Sequence, residues 1–373
     1  MKVLHIIPAY KPAYGYGGPT ESVSRLCEGL AASGHLVDVY TTTANGDKEL
    51  DVPVGVAVDV DGVRVTYFKR ITGDHTHVSP LLWIALIRSA KTYDIIHLHS
   101  WWSLLMVIAA PLALMSKTKI IIAPRGMLSD YVFNTSKSVY KKLIHSLIGR
   151  LTLKKCVLHA TAQSEYDECK KLIPEWTGFV LPNILSLPDI KVIEHENECF
   201  TIIFMSRIHP KKGIEKLFEA ISQVGYDLKL IIAGEGDEQY LLQLQDLSLK
   251  LKIQNKIKWL GWVNRNEKFV ELNNADLFVL TSLNENFANV VIESLYMGTA
   301  VLISKEVGLA DFVKNKDLGW ICSLDTDDIV LKLNSAYNDK VKLERIRKGG
   351  RLAIQKSFSE KVLIDQYAKA YLD

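Results

Sequence analysis

Two basic residues at a fixed spacing give the chain its strongest chemical signal. Arg207 and Lys212 lie in the segment SRIHPKKG (206–213), which follows an apolar run and opens a helical pattern. A cation at the start of a helix opposes the helix dipole unless an anion is bound there too. Two cations beside free helix amides suit a diphosphate. The alternative is a solvated basic turn.

Two carboxylates follow a later apolar run, 277–280. Glu285 is expected in the loop after that run, and Glu293 about one turn into the next helix. Carboxylates accept hydrogen bonds from sugar or ribose hydroxyls, whereas the amides of Phe287, Ala288 and Asn289 at the helix start favour an anion. Surface carboxylates without a ligand are the alternative reading of this pair.

A glycine-rich loop, YGYGGPT (14–20), separates the first apolar run from the first helical pattern. The paired glycines Gly17 and Gly18 allow the backbone to approach a ligand closely, and the helix start favours an anion. The loop is not GxGxxG, so the dinucleotide-binding fingerprint is absent. An ordinary flexible loop remains the alternative.

Two further polar groups stand at predicted strand ends. His97 and His99 alternate along one strand, and we expect them to point to opposite faces, one into the core and one toward a ligand. Arg125 follows the run 120–123 and could meet an acidic substrate, the alternative being a structural ion pair.

Other signals narrow the class of protein. The 373 residues include 45 Lys and Arg against 42 Asp and Glu, a balance that does not predict nucleic-acid binding. With 48% hydrophobic and 23% charged residues, the composition is that of a globular protein and excludes a disordered or collagen-like chain. The sequence lacks GxSxG, HExxH and Walker A motifs, a DxD pair of aspartates at the end of a predicted strand, and metal-type His/Cys spacing, so neither a metal nor a cofactor is predicted.

The cysteines, the N-terminus and the longest apolar stretch predict where the protein is located. The five cysteines are scattered and odd in number, which favours reduced thiols in the cytoplasm. The N-terminus does not resemble a signal peptide, and the longest apolar stretch, 104–115, is too short to span a bilayer. We therefore expect a cytoplasmic protein, attached at most to the surface of the inner membrane.

Apolar runs alternate with helical patterns in two halves, which predicts an α/β protein with two parallel sheets. The rhythm stops at a charged stretch, 188–199, which we interpret as a linker. Ligands bind at the carboxyl ends of such sheets, so two Rossmann-like halves would form a cleft between them. The predicted strands are Val3–Ile7, Leu36–Tyr40, Val63–Phe68, Ile95–Leu98, Ile120–Ala123, Val157–Ala160, Phe179–Leu181, Phe200–Met205, Leu228–Ala233, Ile257–Leu260, Leu277–Leu280 and Val301–Ile303.

Together these residues resemble the retaining family 4 glycosyltransferases of the GT-B fold. The match rests on Gly17-Gly18, on His99 in HLHSWW, on the pattern from Arg207 to Lys212-Gly213, and on Glu285-x7-Glu293, in the family order. The segment APRGML (123–128) looks like members that build bacterial surface polysaccharides. One departure is Ala288, where many relatives carry glycine.

The resemblance implies roles for these positions. Arg207 and Lys212 would hold the donor diphosphate, which Gly17 and Gly18 would approach from the other domain. The segment around Phe287, Ala288 and Asn289 would complete the donor site.

It also implies the sugar contacts and the mechanism. Glu293 would bind ribose hydroxyls, Glu285 the hydroxyls of the transferred sugar, and His99 the sugar near C6. The donor phosphate would help to accept the acceptor's proton, so no protein nucleophile would be required. We also expect no requirement for a divalent metal, because the two cations and the helix amides would supply the positive charge.

It also implies an organisation. The expected domains are an acceptor-binding domain at 1–187, the linker at 188–199, a nucleotide-sugar-binding domain at 200–357, and a C-terminal helix at 358–373 that returns to the first domain. The expected function is retaining transfer from a UDP- or GDP-sugar to a saccharide acceptor in O-antigen, capsule or exopolysaccharide synthesis. The alternatives are a non-catalytic nucleotide-sugar-binding protein and a nucleotide-sugar epimerase.

A basic amphipathic segment indicates a membrane contact. Between residues 131 and 164 the chain has no Asp or Glu, and apolar residues recur at helical spacing. Such a helix can lie on an anionic bilayer surface, where Arg125 and the segment could meet a polyprenyl-diphosphate-linked acceptor. The alternative is that the apolar stripe packs against the first sheet. The basic residues are Lys137, Lys141, Lys142, Arg150, Lys154 and Lys155, and the apolar ones Val139, Leu143, Ile144, Leu147, Ile148 and Leu151.

Overall fold

A computed structural model describes residues 1–133, 138–190, 192–193 and 197–373, with the backbone alone described for 138–140. The chain divides into two units. The first contains Met1–Ser186 and Glu360–Asp373, and the second contains Leu187–Ser359. Lys137 and the side chain of Val139, both part of the predicted amphipathic segment, lie outside the described residues, as do residues 191 and 194–196 of the predicted linker.

The first unit is built on an eight-stranded sheet with the order β10-β9-β8-β7-β1-β2-β6-β5, beside a separate β3-β4 hairpin. Every pair in the large sheet is parallel except β5 with β6. Its strands are β1 (Lys2–Ile6), β2 (Leu36–Thr42), β3 (Ala44–Asn45), β4 (Lys48–Glu49), β5 (Ala57–Val60), β6 (Val63–Phe68), β7 (Ile95–His99), β8 (Lys119–Ala123), β9 (Val157–Ala160) and β10 (Gly178–Val180).

Helices connect these strands. The first begins at Gly18, because Gly17 and Pro19 supply the backbone angles of a helix N-terminus. The helices are α1 (Gly18–Ala32), α2 (Pro80–Ser89), α3 (Leu104–Leu114), α4 (Asp130–Phe133), α5 (Ser138–Ile144), a π-helical turn (His145–Gly149), α6 (Arg150–Leu153) and α7 (Gln163–Leu172), with 3-10 turns at Tyr14–Tyr16 and Ala90–Thr92.

The second unit contains a six-stranded parallel sheet with the order β13-β12-β11-β14-β15-β16. All residues of its strands β11 and β15 are buried, as expected where helices cover both faces. The strands are β11 (Phe200–Met205), β12 (Leu228–Ala233), β13 (Ile257–Gly261), β14 (Leu277–Leu280), β15 (Ala300–Ser304) and β16 (Gly319–Cys322). The prediction of two Rossmann-like sheets is confirmed.

The helices of the second unit follow its strands in sequence order. They are α8 (Ile214–Gln223), α9 (Glu238–Lys250), α10 (Arg265–Asn273), α11 (Asn289–Tyr296), α12 (Ala310–Asn315), α13 (Thr326–Asn338) and α14 (Lys340–Ser357), with 3-10 turns at Pro210–Lys212 and Gln254–Lys256. Tyr296 donates a hydrogen bond to the carbonyl of Pro188 at 3.0 Å, so the start of the predicted linker packs within this unit.

The remaining helix, α15 (Glu360–Leu372), belongs to the first unit. At its start Glu360 lies 3.0 Å from Arg25 on α1. In its middle, a Cβ at Gly29 would lie 2.3 Å from Ile364, so glycine permits the close approach of the two helices. At its end Lys119 donates to the carbonyl of Tyr371 at 3.1 Å. Among the described residues, no helix combines the length and the apolar character needed to cross a membrane.

Candidate functional site

Each sheet has a point where the strand order reverses. In the second unit this point lies between β11 and β14, and in the first unit between β1 and β7. Ligands of doubly wound folds bind outside the carboxyl ends of the strands at such a point. The loops that carry Lys212 and Glu285 flank the reversal in the second unit, and the loops that carry Gly17 and Ser100 flank the reversal in the first.

The loops after β11 and β14 are fastened to each other in the second unit. Gly213 adopts φ +64°, and a Cβ at this position would lie 2.1 Å from the carbonyl oxygen of Thr281. Thr281 Oγ1 donates to the carbonyl of Gly213 at 2.7 Å, and the Leu283 amide donates to the carbonyl of Lys211 at 2.8 Å. Only glycine meets both the backbone angle and the close approach here.

These two loops bring two predicted site residues together. Lys212 Nζ forms an ion pair with Glu285 Oε2, and their side chains are 14% and 21% exposed. Arg207 is exposed on the same loop as Lys212. Burial lowers the pKa of His209 below its ordinary value, and the neighbouring cations, Arg207 first among them, contribute less. Both cations predicted to bind an anion, Arg207 and Lys212, lie on this one loop.

The segment before α11 carries backbone strain. Ala288, the residue preceding α11, adopts φ +64°, a left-handed conformation that disfavours a side chain with a Cβ. Phe287 beside it is buried, and Asn289 is the first residue of the helix.

Glu293 lies on α11 and is buried. Lys268 on α10 donates a hydrogen bond to its Oε1 at 2.6 Å. Our sequence analysis missed Lys268, because 25 residues separate it from Glu293 and no motif marks it. The ion pair neutralises the carboxylate and fixes its orientation.

In the first unit, the glycine-rich loop forms the N-terminus of α1. Gly17 is the N-cap with φ +71°, and a Cβ there would meet open space, so the turn is exposed to an approaching ligand. The preceding Tyr16 accepts a hydrogen bond from the Gly46 amide at 3.1 Å through its hydroxyl. This contact ties the loop to the β3-β4 hairpin.

The predicted orientation of His97 and His99 is wrong. Side chains two residues apart on a strand point to the same face, and the two ring centroids lie 4.1 Å apart. Both residues are buried, together with His5 on β1 and His159 on β9. The sheet order joins four histidines that the sequence distributes over 155 positions from the first to the last.

One chain of hydrogen bonds assigns the protons of His97 and His159. Because His159 Nε2 lies 3.0 Å from the carbonyl oxygen of Leu181, it donates, and its Nδ1 accepts from His97 Nε2 at 3.2 Å. His97 Nδ1 is then an acceptor, and Tyr371 of α15 donates to it at 2.7 Å. Tyr367 donates to the carbonyl of Pro182 at 2.9 Å and lies 3.0 Å from His159 Nε2.

A second series of hydrogen bonds begins at Arg125. Its Nη2 lies 3.2 Å from His99 Nδ1 and donates to it. His99 Nε2 is then the donor to His5 Nδ1 at 2.9 Å, which leaves His5 Nε2 as a buried N–H without a partner among the described residues. Burial, with a smaller contribution from Arg125, lowers the pKa of His5 and of His159 to about 3, so both rings are neutral. Both ring nitrogens of His99 are engaged by protein groups.

Arg125 itself contacts only neutral groups among the described residues. Besides His99, its guanidinium donates to Asn183 and, at 3.4 Å, to Ser22. It makes no ion pair with any residue that the structure describes, so the structural ion pair considered from the sequence is not formed there. Burial lowers the pKa of Arg125 below its ordinary value. Glu165, which sequence reasoning missed, holds the loop by accepting from the Gly126 amide at 2.6 Å.

Nitrogens of His5, His97 and His99 lie within 4.8 Å of one another, a grouping that the spacing along the sequence did not reveal. A metal there would have to displace the protons of the hydrogen bonds above, and it would lie beside the Arg125 guanidinium. The two series of hydrogen bonds explain why these histidines lie together without invoking a metal.

The structure also tests the packing of the amphipathic segment. Leu143, Leu147, Ile148 and Leu151 are 46–64% exposed, so the alternative that this stripe packs against the sheet is wrong for these four residues. Ile144 does pack against the core. Lys142, Arg150, Lys154 and Lys155 are also exposed, so an apolar stripe with basic neighbours faces outward.

Known structures share this architecture. Sucrose-phosphate synthase from Thermosynechococcus elongatus superposes with a TM-score of 0.79 and 17% identity over 100% of this chain and 98% of its own. An Anabaena protein in complex with UDP and glucose gives a TM-score of 0.75 and 18% identity over 100% of both chains. The fold is that of GT-B glycosyltransferases.

Two protein-family models match the sequence of this chain. A family model described as Glycosyltransferase Family 4 matches residues 16–184, and one described as Glycosyl transferases group 1 matches residues 188–353. The chain belongs to the family 4 glycosyltransferases.

Two curated relatives illustrate the range of the matches. An uncharacterised glycosyltransferase of Methanocaldococcus jannaschii is 27% identical over 91% of this chain and 90% of its own. A capsular polysaccharide biosynthesis glycosyltransferase of Staphylococcus aureus is 27% identical over 47% of this chain and 46% of its own.

Proposed function

We propose that this glycosyltransferase transfers a sugar from a UDP- or GDP-sugar to a saccharide acceptor with retention of anomeric configuration. The contact between Lys212 and Glu285 at the strand-order reversal carries the proposal. It puts a cation suited to a diphosphate beside a carboxylate suited to sugar hydroxyls. A nucleoside diphosphate sugar presents these two groups next to each other.

The second unit supplies the donor site in this proposal. Arg207 and Lys212 bind the diphosphate, with the amides around Phe287, Ala288 and Asn289. Glu293 accepts hydrogen bonds from the ribose hydroxyls, and Glu285 accepts them from the transferred sugar. The Anabaena protein of the same fold binds UDP and glucose, which supports a UDP-sugar as the first donor to test.

The first unit supplies acceptor groups. Its exposed turn at Gly17 and Gly18 lets the backbone approach a phosphate group at the start of α1. Arg125 binds an acidic group of the acceptor, a role that suits a guanidinium whose described partners are all neutral.

The chemical step needs no protein nucleophile in this proposal. The bond from C1 to the donor phosphate breaks while the acceptor oxygen attacks C1 from the same face, and the leaving phosphate oxygen takes the acceptor's proton. The cations and helix amides stabilise the charge that develops on the diphosphate, so no divalent metal is required.

The proposed pathway is the synthesis of a bacterial surface polysaccharide on a lipid-linked acceptor. The capsular polysaccharide relative supports this assignment. The outward-facing stripe of Leu143, Leu147, Ile148 and Leu151 with its basic neighbours would hold the first unit on an anionic membrane surface, where such an acceptor is located.

A ligand screen followed by product analysis tests the reaction. UDP, GDP and their common sugars are compared by thermal shift, because a ligand of the folded state raises the melting temperature. The sugar nucleotide selected is then incubated with saccharide acceptors, and proton NMR of the first-formed product reads its anomeric configuration. An inverted product, or full dependence of transfer on magnesium after chelation, contradicts the mechanism.

The same experiment separates the alternatives. A non-catalytic binding protein would show a thermal shift without hydrolysis or transfer. An epimerase would convert the donor sugar in the absence of any acceptor. Transfer to an acceptor excludes both.

Vesicle sedimentation tests the membrane surface. We expect the protein to bind anionic vesicles better than neutral ones at low salt, and Lys141→Glu/Lys142→Glu or Leu147→Ser/Leu151→Ser to reduce this binding. Leu331→Ser in the second unit is a matched control, since Leu331 is 57% exposed and Leu151 is 56% exposed. Equal binding of all variants would exclude attachment through this face.

A further inference from the structure

Lys212 and Glu285 are paired with each other in this structure, although each is proposed to bind a different group of the donor. The ammonium that would bind the diphosphate is paired with the carboxylate that would bind the transferred sugar. We infer that Glu285 competes with the diphosphate for Lys212, and that the arriving diphosphate releases Glu285 to bind the sugar hydroxyls. The inference rests on the proposed function of this site.

The backbone around the pair restricts how the exchange can occur. Thr281 bonds to Gly213, and both the amide of Leu283 and the hydroxyl of Ser282 donate to the carbonyl of Lys211, at 2.8 and 3.0 Å. The two loops are therefore fastened on either side of the pair. The exchange falls to the Lys212 side chain, whose flexible four-carbon stem can redirect its ammonium without moving the loops.

Charge determines the direction of the exchange. A diphosphate carries more negative charge than one carboxylate, so it attracts Lys212 more strongly. Arg207 on the same loop adds to that attraction. Once Lys212 turns to the diphosphate, Glu285 is a carboxylate near a second anion, and two like charges destabilise each other. Hydroxyl donors from a sugar offset this cost, because an ionised carboxylate is an acceptor only.

The competition discriminates between substrate and product. A nucleotide sugar brings hydroxyls for Glu285, whereas the nucleoside diphosphate left after transfer brings none. Glu285 would therefore weaken the binding of the product and speed its release. Neutralising Glu285 removes a contact to the sugar. It should nevertheless increase the affinity of the site for the nucleoside diphosphate alone.

The experiment is a double-mutant cycle on nucleotide binding. UDP and GDP are titrated separately, by calorimetry, into the wild type, Glu285→Gln, Lys212→Met and the double variant. We expect Glu285→Gln to bind the nucleotide about twofold to fivefold more tightly, the range for releasing a partly exposed ion pair. In the Lys212→Met background the same substitution should change the affinity by less than about twofold, because no ammonium is left to release.

Glu235→Gln is the matched control. Glu235 is an exposed carboxylate in the loop after the neighbouring strand β12, and no ion pair with a lysine is present at its side chain among the described residues. Its neutralisation removes one negative charge from the same edge of the sheet without releasing Lys212. Thermal unfolding of each variant confirms that it is folded.

The outcomes are distinct. A gain of affinity in Glu285→Gln that vanishes without Lys212 supports the competition. An equal gain in both backgrounds, or in Glu235→Gln, means that simple repulsion acts on the nucleotide, and unchanged or weaker binding in Glu285→Gln also overturns the inference. If the wild type binds neither nucleotide, the proposed function itself fails.

Discussion

Lys268 and Glu293 form an ion pair between α10 and α11, with 2.6 Å between Nζ and Oε1 and only 3% of the glutamate side chain exposed. Glu293 lies on α11, the helix that follows the Ala288 segment, and is proposed to bind the donor. The ion pair therefore fixes a proposed donor-binding residue to the neighbouring helix α10. Its partner residue comes from outside the recognised motif.

We predict that Lys268→Met lowers the free energy of unfolding by about 3 kcal/mol, because it leaves a buried carboxylate without its counter-charge. Lys268→Met/Glu293→Gln should recover most of that loss. Urea unfolding measures both, and Lys258→Met, at an exposed lysine on β13, is the control. A single variant as stable as the wild type would contradict the importance of the pair.

Ala288→Gly should raise the free energy of unfolding by about 0.5–1 kcal/mol. The left-handed conformation of Ala288 costs a residue with a Cβ about 1–2 kcal/mol, and the greater freedom of glycine in the unfolded chain offsets part of the gain. Denaturant titration measures the change. As a contrast, Ala336→Gly within α13 should lower stability by about 1 kcal/mol. Destabilisation of both variants would show that Ala288 is not strained.

Tyr371→Phe should lower the free energy of unfolding by about 1–3 kcal/mol, because it leaves the buried His97 Nδ1 without its donor. Unfolding by urea measures the loss. Tyr14→Phe removes a hydroxyl from a tyrosine that is 54% exposed, so it should be nearly neutral. Equal stability of Tyr371→Phe and Tyr14→Phe would show that the hydrogen bond contributes nothing.

The buried histidines should make the protein sensitive to acid. The pKa values of His5 and His159 fall to about 3 in the folded state, against about 6.5 for an unperturbed histidine. Below pH 6.5 the unfolded chain therefore binds protons that the folded chain does not, and stability falls as the pH is lowered. Each histidine contributes up to about 1.4 kcal/mol per pH unit in this range.

A pH series of urea titrations between pH 7 and pH 5 measures this slope. In His159→Gln the group no longer titrates, so the slope should be smaller by the contribution of one histidine, whatever the variant's stability at pH 7. An unchanged slope would mean that His159 takes up its proton in the folded state.

Apolar runs were enough to predict most of the fold. The predicted bounds of β6, β9, β11, β12 and β14 coincide with those of the structure. β9, β11, β12 and β14 are mostly buried apolar stretches, as expected where both faces of a sheet are covered, whereas β6 alternates between buried Val63 and Val65 and exposed Arg64. The edge strands β5 and β16 and the two-residue strands β3 and β4 were missed. Asp59 interrupts the apolar residues of Ala57–Val60, and both edge strands are partly exposed.

The site was predictable only where chemistry follows a motif. Lys212 and Glu285 were singled out from their loops, and the structure pairs them. Lys268 and Glu165 were not, because each acts on a residue or amide brought near by helix packing. The histidine cluster was missed for another reason: the order β9-β8-β7-β1 joins strands whose sequence order gives no sign of it, and our assignment of His97 and His99 to opposite faces was an error of strand geometry.

The return of α15 to the first unit sets an order of events during protein synthesis. A ribosome completes the second unit before it reaches residue 360, whereas the first unit still lacks the helix that supplies Tyr367 and Tyr371. Until then, His97 lacks its donor and the face of α1 around Gly29 is uncovered. The half of the chain that is synthesised first thus depends on the last helix to be synthesised to complete its packing.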